Sequence, residues 1–353
     1  MSWIVCDYSK AKIDAAGKSL VTLSPHDPAR ENALEVINNW RSCHSYPLHI
    51  VTKTLRDRAK RKVNVTALVA RRIKRLSSIA LKLRHNAEMK LSQMQDIGGC
   101  RCVLKNVREV ERLVETYALA AAKHPNTTDR PFLHKTYDYI SQPKSDGYRG
   151  VHLIMKYQSQ SKPDFNGQRI EIQVRSQLQH AWATAVETCQ TFTGQAIKSK
   201  IKTASDSWLR FFSLMSTAIA VREKRPGVPG TPTAAGPRVA ELKNIEKQEG
   251  IINLLQGWSS AIQHPSIADD HESAAYLLTL DIQSKRLVVR SFKVDELTEA
   301  YADYLRQEKA TENDVNIQVV LVSADSLASL RRAYPNFYVD TTAFISAVKQ
   351  EIR

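Results

Sequence analysis

A Pro- and Gly-rich stretch divides this chain of 353 residues into two parts. Seven of the 13 residues in 225–237, RPGVPGTPTAAGP, are Pro or Gly, too many for a regular helix or strand. Because 353 residues are also more than one hydrophobic core usually accommodates, the sequence predicts two domains. We place a first domain at 1–224, a linker with a connecting helix at 225–263, and a smaller C-terminal domain at 264–353.

Short runs typical of β-strands recur in the first domain. They lie at 100–104, 136–140, 151–157 and 169–175. In the last run Ile170, Ile172 and Val174 alternate with polar residues, which predicts one buried face and one face equipped for chemistry. Helical spacing of apolar residues predicts helices at 68–83 and 106–122. This mixture predicts an α/β fold, a mixed sheet flanked by helices.

The C-terminal domain repeats this mixture on a smaller scale. We expect a β-hairpin within 276–292, a strand at 317–322, and helices at 294–309, 325–333 and 340–351. The sequence therefore predicts a small second α/β domain.

Composition excludes several classes of protein. No apolar run is long enough to span a bilayer, and the N-terminal MSWIVCDYSK carries charge where a signal peptide is apolar. Five cysteines without CxxC spacing favour reduced thiols over disulfides or structural zinc. We therefore expect a cytoplasmic protein.

The charge is unevenly distributed. The chain carries 51 Lys and Arg against 36 Asp and Glu, a net charge of +15. Residues 41–110 hold 17 basic and four acidic side chains, whereas residues 264–353 hold 10 basic and 14 acidic ones. The excess predicts a phosphate-bearing partner for the first domain, although a solvated basic surface is the alternative.

Cations at helical spacing form the first candidate site. Arg72 and Lys74 open the predicted helix at 68–83, and Lys74, Ser78 and Lys82 follow four residues apart on one face. Such a row fits a polyphosphate, but a charged helix face is more often simply solvated.

Two carboxylates form the second candidate site. Asp96 precedes paired glycines and a strand, and Glu171 lies on the polar face of 169–175. Carboxylates on neighbouring strands among Arg and Lys suit Mg²⁺ shared with substrate phosphates. The alternatives are a turn role for Asp96 and an ion pair of Glu171 with Arg169 or Arg175.

The third candidate is the loop SQPKSDGYRGVH, residues 141–152. Tyr148 is placed to stack on a base, and Lys144 or Arg149 to meet phosphate, although a hairpin tip explains the pattern equally well.

Together these motifs resemble the RelA/SpoT alarmone-synthetase family over about residues 50–220. The matching segments are RIKRLSSIALK, QDIGGCR, YDYISQPKSDGYRGVH and RIEIQVRSQLQHAWA, in the family's order and approximate spacing. The resemblance implies a nucleotidyltransferase-like fold and transfer of the β,γ-pyrophosphate of ATP to the 3′-hydroxyl of an acceptor.

The resemblance also implies roles for matching residues. Arg72 and Arg101 would sandwich adenine, and Lys74, Ser78 and Lys82 would hold the triphosphate. Asp96 would bind Mg²⁺, with Glu171 as a second ligand or as the base. Tyr148 would stack on the acceptor base, surrounded by Lys144, His152 and Gln173.

Two features depart from the family pattern. Glu187 stands one position later than the family's acidic residue, and no histidine–aspartate hydrolase site is evident, since His26–Asp27 stands alone. We predict a synthetase without hydrolase activity.

Two acceptors remain open, guanine nucleotides (GDP or GTP) and the 3′ end of tRNA. The basic excess favours tRNA, because a large polyanion needs many cations. The acidic tail and the Tyr301–x–x–Tyr304 element resemble the fused toxin–antitoxin phage-defence proteins called CapRel. That resemblance implies a pseudo-zinc-finger domain whose tyrosines contact Arg72 and Arg101 until a phage protein releases them. Packing within the tail is the alternative for this tyrosine pair.

Overall fold

The elements follow the predicted mixture of helices and strands. The computed structural model describes residues 3–24, 27–63, 65, 67–124, 129–196, 201–262, 273–312, 314, 316–324 and 326–353, with the side chains of 193–196 and 201–205 left out. The strands are β1 Leu68–Ile73, β2 Gly98–Leu104, β3 Phe132–Asp138, β4 Val151–Lys156, β5 Arg169–Ser176, β6 Ala275–Asp281, β7 Arg286–Phe292 and β8 Ile317–Ser323.

The helices surround these strands. They are α1 Lys10–Thr22, α2 Pro28–Cys43, α3 Ser45–Arg58, α4 Leu76–His85, α5 Val107–Lys123, α6 Gln177–Ala196, α7 Ile201–Arg222, α8 Ala235–Glu249, α9 Ile251–Ala261, α10 Leu297–Ala310, α11 Leu327–Ala333 and α12 Thr342–Glu351. A π-helical segment, Ala59–Val63, follows α3. Asp27 caps α2 by accepting from the backbone N–H of Ala29, and His26 lies outside the described residues.

All eight strands form one sheet in the order β3-β4-β5-β2-β1-β8-β6-β7. β2 and β5 are parallel, and the other neighbours are antiparallel. β1 and β8 join the two halves through only two residue pairs, Arg71 with Ser323 and Arg72 with Val322. The predicted mixed sheet flanked by helices is therefore confirmed, and the C-terminal strands extend it.

The alternation along the central strands separates a core face from a polar face. Cys100, Cys102, Ile170, Ile172 and Val174 are buried beneath α3 and α5. Successive strand residues point to opposite sides of a sheet, so Arg101, Glu171 and Gln173 face the other way. The predicted core face and the predicted chemical face of β5 thus lie on opposite sides of the sheet.

The helix predicted at 68–83 is wrong in its first half. Leu68–Ile73 forms β1, which pairs with β2 along its whole length, and α4 begins only at Leu76. Val69 and Ile73 pack into the core four residues apart, a spacing that strand and helix share, and pairing with β2 decides for the strand. Arg72 is therefore a strand residue, and Lys74 lies in the connection before α4.

The Pro- and Gly-rich stretch is packed rather than extended. Val228 is buried, and its backbone N–H donates to Thr217 Oγ1 on α7 at 2.8 Å. The chain then enters α8 and α9, whose apolar residues Leu242, Ile251 and Leu255 share a core with α6, α7 and α12. None of the described helices is both long enough and apolar enough to cross a membrane.

Candidate active site

Asp96 lies two residues before β2 and is held by the two predicted lysines. Lys74 Nζ donates to its Oδ2 at 2.8 Å, and Lys82 Nζ donates to its Oδ1 at 2.9 Å. Burial opposes ionisation of this carboxyl, but the two ammonium groups more than offset burial and lower its pKa to about 2. Both oxygens thus accept from lysines, whereas a turn aspartate would accept from its own backbone.

Glu171 on β5 has different partners. His152 Nδ1 lies 2.9 Å from its Oε1, and Gln173 Nε2 donates to its Oε2 at 2.6 Å. Burial disfavours the charged form, but the hydrogen bond and charge of His152 leave the pKa of Glu171 below its usual range. Arg169 and Arg175, the alternative partners, bind elsewhere: Arg169 donates to Gln93 O, and Arg175 donates to Tyr148.

Tyr148 extends this network away from the carboxylate. Its hydroxyl lies 2.5 Å from His152 Nε2 and accepts from Arg175 Nη2 at 2.9 Å. Its ring meets the Tyr139 ring edge-on, with centroids 5.8 Å apart. The structure therefore shows Tyr148 half-buried and linked to Glu171 through His152, rather than projecting freely as expected from the loop sequence.

The loop before β4 is fixed by its turn residues. Gly147 has a φ of +88°, and a Cβ there would lie 3.0 Å from the Trp182 ring, so this position favours Gly on both counts. Asp146 Oδ1 accepts from the Tyr148 N–H at 2.9 Å. Arg149, considered for phosphate binding, is buried and donates to Ser216 Oγ and Pro226 O instead.

A large cleft of about 810 Å³ opens on one side of the two carboxylates. Its lining includes Lys82, Asp96, Tyr139, Lys144, His152 and Glu171. Tyr137 and Gln173 also contribute, and the rings of Tyr137 and Tyr139 are parallel with centroids 6.1 Å apart. The predicted acceptor residues Lys144, His152 and Gln173 thus come together here, beside two tyrosines that the sequence analysis did not single out.

A small cavity of about 80 Å³ shares these two carboxylates, and also Gln173, with the large cleft. Asp96 and Glu171 line it too, together with Arg72, Lys74, Arg101 and Tyr334. The Tyr334 ring centroid is 5.9 Å from Arg72 Cζ and 5.3 Å from Arg101 Cζ. An aromatic ring of the C-terminal region therefore lies beside the two arginines that the family resemblance assigns to adenine.

The expected contact of Tyr301 and Tyr304 with those arginines is wrong. Tyr304 accepts a hydrogen bond from Arg41 Nη2 at 2.7 Å, and Tyr301 accepts one from Ser45 Oγ at 3.1 Å. The reason is topological. α10 lies against the N-terminal helices, whereas β8 pairs with β1 and delivers α11 and the following Tyr334 to Arg72.

Ser78 and Glu187 differ in their relation to the site. Ser78 is half-buried on α4, one turn before Lys82, and does not line either cavity. Glu187 Oε1 lies 3.6 Å from Arg101 Nη2. Burial opposes its ionisation, but Arg101 and the neighbouring arginines hold its pKa below the usual range, so Glu187 is a counter-ion of that arginine cluster.

Two ionised carboxylates at one cavity fit a magnesium ion that is shared with phosphates. Mg²⁺ in such sites usually takes one or two carboxylates and completes its shell with water and substrate oxygens. Among the described residues no group of three or more His, Cys, Asp or Glu could hold a metal without such help. Asp96 and Glu171 therefore fit a substrate-assisted metal site and not a self-sufficient one.

Comparison with known proteins places this site within one recognised stretch of chain. GTP pyrophosphokinase YjbM of Bacillus subtilis (strain 168) is 29% identical over 154 residues, covering 42% of this chain and 69% of that protein. A crystal structure of small alarmone synthetase 1 from Bacillus subtilis bound to its product pppGpp matches with 20% identity and a TM-score of 0.38. That match covers 52% of this chain and 93% of the other.

A GTP pyrophosphokinase family protein from Streptococcus pneumoniae matches with 22% identity and a TM-score of 0.35, covering 48% of this chain and 84% of the other. Residues 71–192 match the family described as "Region found in RelA / SpoT proteins". This stretch includes every residue predicted to bind ATP, metal or acceptor, and excludes Tyr334. The chain is therefore similar to RelA/SpoT proteins over residues 71–192, which we refer to as its RelA/SpoT region.

Proposed function

We propose that this protein is a pyrophosphokinase of the RelA/SpoT type, which transfers the β,γ-pyrophosphate of ATP to a 3′-hydroxyl. The observation that carries the proposal is the position of Asp96 and Glu171, both ionised, in the wall common to the large cleft and the small cavity. Donor and acceptor would meet at this wall. The match to the RelA/SpoT family at residues 71–192 and the similarity to the GTP pyrophosphokinase YjbM support the same reaction.

The small cavity is the proposed donor side. Arg72 and Arg101 would stack on adenine, and Lys74 and Lys82 would exchange Asp96 for the triphosphate, with Ser78 supporting α4. Asp96 would hold Mg²⁺ together with substrate oxygens, with Glu171 as a second ligand or, in the mechanism favoured below, as the base, and Mg²⁺ would supply charge neutralisation on the phosphates. The side chains thus position the β-phosphorus and neutralise charge, the usual means of phosphoryl-transfer catalysis.

The large cleft is the proposed acceptor side. The 3′-hydroxyl oxygen forms a bond to the β-phosphorus, the bond from that phosphorus to the bridging α–β oxygen breaks, and AMP leaves. Glu171 takes the hydroxyl proton while His152 and Gln173 keep its carboxylate oriented. Tyr139 would provide aromatic surface for the acceptor base, and Lys144 lies 4.5 Å from its ring centroid. Tyr148 does not line the cleft and would have to turn away from His152 and Arg175 to stack on that base.

The proposed acceptor is the 3′ end of tRNA. Apart from Lys82, the lining of the large cleft includes the cations Lys144 and Arg169, and exposed Lys135 lies on β3 beside it. Together with the excess of 17 basic over four acidic residues in 41–110, they provide more positive charge than a single nucleotide needs. The second candidate acceptor is GDP or GTP, because the similar protein YjbM is a GTP pyrophosphokinase.

The proposed biological role is an autoinhibited toxin of phage defence that stops translation, with no hydrolase activity. The position of Tyr334 beside Arg72 and Arg101 supports autoinhibition, since adenine and this ring would compete for one place. Tyr301 and Tyr304 would then hold the C-terminal region at α2 and α3. A phage protein that binds this region is the proposed trigger.

The test is incubation of the Tyr334→Ala variant with Mg²⁺ and ATP labelled at the β- and γ-phosphates, with either tRNA or GDP and GTP as acceptor. We expect label on tRNA, and none on tRNA whose 3′-terminal ribose has been oxidised with periodate. Label on the guanine nucleotides alone would favour the second candidate. Absence of label on every acceptor, from a folded protein, would overturn the proposed reaction.

A further inference from the structure

Helix α4 begins without a cap of its own. The residues before it are Lys74 and Arg75, and Arg75 makes no side-chain capping bond. The first N–H groups of a helix have no partner within the helix, and Ser, Thr, Asp or Asn usually supplies one. A cation at this position is also unfavourable beside the positive end of the helix dipole. The start of α4 therefore depends on an acceptor from elsewhere.

Glu308 of α10 supplies that acceptor across 232 residues of chain. Its Oε1 accepts from the backbone N–H of Leu76, the first residue of α4, at 2.7 Å. The side chain is buried, and a carboxylate at a helix N-terminus is favoured by the dipole as well as by the hydrogen bond. The C-terminal region thus provides the missing N-terminal cap of α4.

A buried network fixes the Glu308 carboxylate. Arg41, fully buried, pairs with Glu308 Oε2 at 2.8 Å, and the Tyr304 hydroxyl donates to Oε1 at 2.9 Å. Arg41 Nε also donates to the carbonyl oxygen of Lys74 at 3.0 Å. Burial disfavours the charged guanidinium, but Tyr304 and Glu308 raise the pKa of Arg41 above its usual range. The same network therefore holds the backbone on both sides of Arg75.

That backbone carries the two lysines of the phosphate site. Lys74 immediately precedes α4, Lys82 lies two turns into it, and both bind Asp96. We propose that Glu308 is a positioning residue for donor-phosphate binding, so that the C-terminal region completes the site that its Tyr334 closes. This inference rests on the proposed pyrophosphokinase function, and it opposes a purely inhibitory role for the C-terminal region.

The test compares Glu308 variants of the full-length protein in the Tyr334→Ala background. Glu308→Ala is expected to lower kcat for pyrophosphate transfer about tenfold and to raise KM for ATP. Glu308→Gln keeps an acceptor oxygen for Leu76 and is expected to recover part of the loss. The matched control is Glu312→Ala, which removes the ion pair that Glu312, two residues after α10, makes with Arg30 of α2, and does not touch α4. Its activity is expected to stay within about twofold of the parent, because sites without shared partners act nearly independently.

Amide hydrogen exchange supplies a second readout that needs no activity. We expect faster exchange at residues 76–82 in Glu308→Ala, an intermediate rate in Glu308→Gln, and no change in Glu312→Ala. If Glu308→Ala fails to fold, the test is the amide exchange rate at residues 76–82 in Glu308→Gln, which should exceed that of the parent. Equal transfer and exchange in parent and Glu308 variants, or higher activity in the Glu308 variants, would overturn the inference. Loss of transfer in the parent itself, with the exchange pattern as expected, would overturn the proposed function and leave the capping role intact.

Discussion

The large cleft and the small cavity meet at the same two carboxylates but differ in volume, about 810 against 80 Å³. All the residues named in the lining of the large cleft lie within the RelA/SpoT region, residues 71–192. The small cavity has one lining residue from outside that region, Tyr334. The two spaces thus differ in origin: residues 71–192 alone line the large cleft, whereas the small cavity also has a ring from the C-terminal region in its lining.

The largest expected effect tests whether the shared carboxylates carry the chemistry. In the Tyr334→Ala background, Glu171→Gln should lower the single-turnover transfer rate about a thousandfold, because a proton acceptor is lost while the hydrogen-bonding shape remains. Glu241→Gln is the matched control, since Glu241 pairs with Arg210 far from both cavities and should leave the rate unchanged. A Glu171→Gln rate close to that of the parent would remove Glu171 from the mechanism.

The next largest effect tests whether Tyr334 restricts the binding of ATP in the small cavity. Tyr334→Ala removes two cation–π contacts of about 0.5–2 kcal/mol each and should raise affinity for a non-hydrolysable ATP analogue roughly tenfold to a hundredfold. Calorimetric titration measures this affinity directly. Tyr338→Ala is the control, because Tyr338 is buried in the same region but contacts Arg331. Equal ATP affinity in all three proteins would show that Tyr334 is packing only.

The smallest expected effect concerns acceptor binding in the large cleft. Tyr139→Ala should raise KM for the acceptor about tenfold and leave KM for ATP unchanged, because it removes a stacking surface from the large cleft. Tyr139→Phe keeps the ring and should behave as the parent does. Steady-state kinetics with each substrate varied in turn distinguishes the two sides. A parallel rise of both constants would mean that the cleft and the cavity do not act separately.

Much of the site was predictable because its residues lie in short motifs on regular strands. The alternation in 169–175 correctly separates buried Ile170 and Ile172 from Glu171, and the glycines of QDIGGCR correctly mark the start of β2. Sequence reasoning missed Tyr137 and Tyr139, although their spacing of two in TYDYI is a signal that both side chains point to one side of an extended chain. Tyr137 lies on β3, and Tyr139 follows directly after its last residue, Asp138.

The missing predictions concern contacts between distant parts of the chain. The β character of Leu68–Ile73 depends on pairing with β2, which helical spacing within the segment cannot reveal. The roles of Glu308 and Tyr334 depend on where α10 and α11 dock, a consequence of β8 joining β1. No local pattern encodes that docking. The spacing of Tyr301 and Tyr304 marks them in the sequence, whereas no local pattern marks Tyr334, which follows an ordinary amphipathic helix.

The two-residue pairing of β1 with β8 has a consequence for solubility. If the C-terminal strands detached completely, β1 would become an open edge at the centre of the present sheet, with unpaired backbone groups exposed to other chains. Such an edge promotes intermolecular strand pairing and aggregation. A movement confined to α11 and Tyr334 would free the space beside Arg72 and keep β8 as a protective cover over β1. A movement of α11 that leaves β8 paired with β1 would therefore avoid this exposed edge, whereas release of the whole C-terminal region would create it.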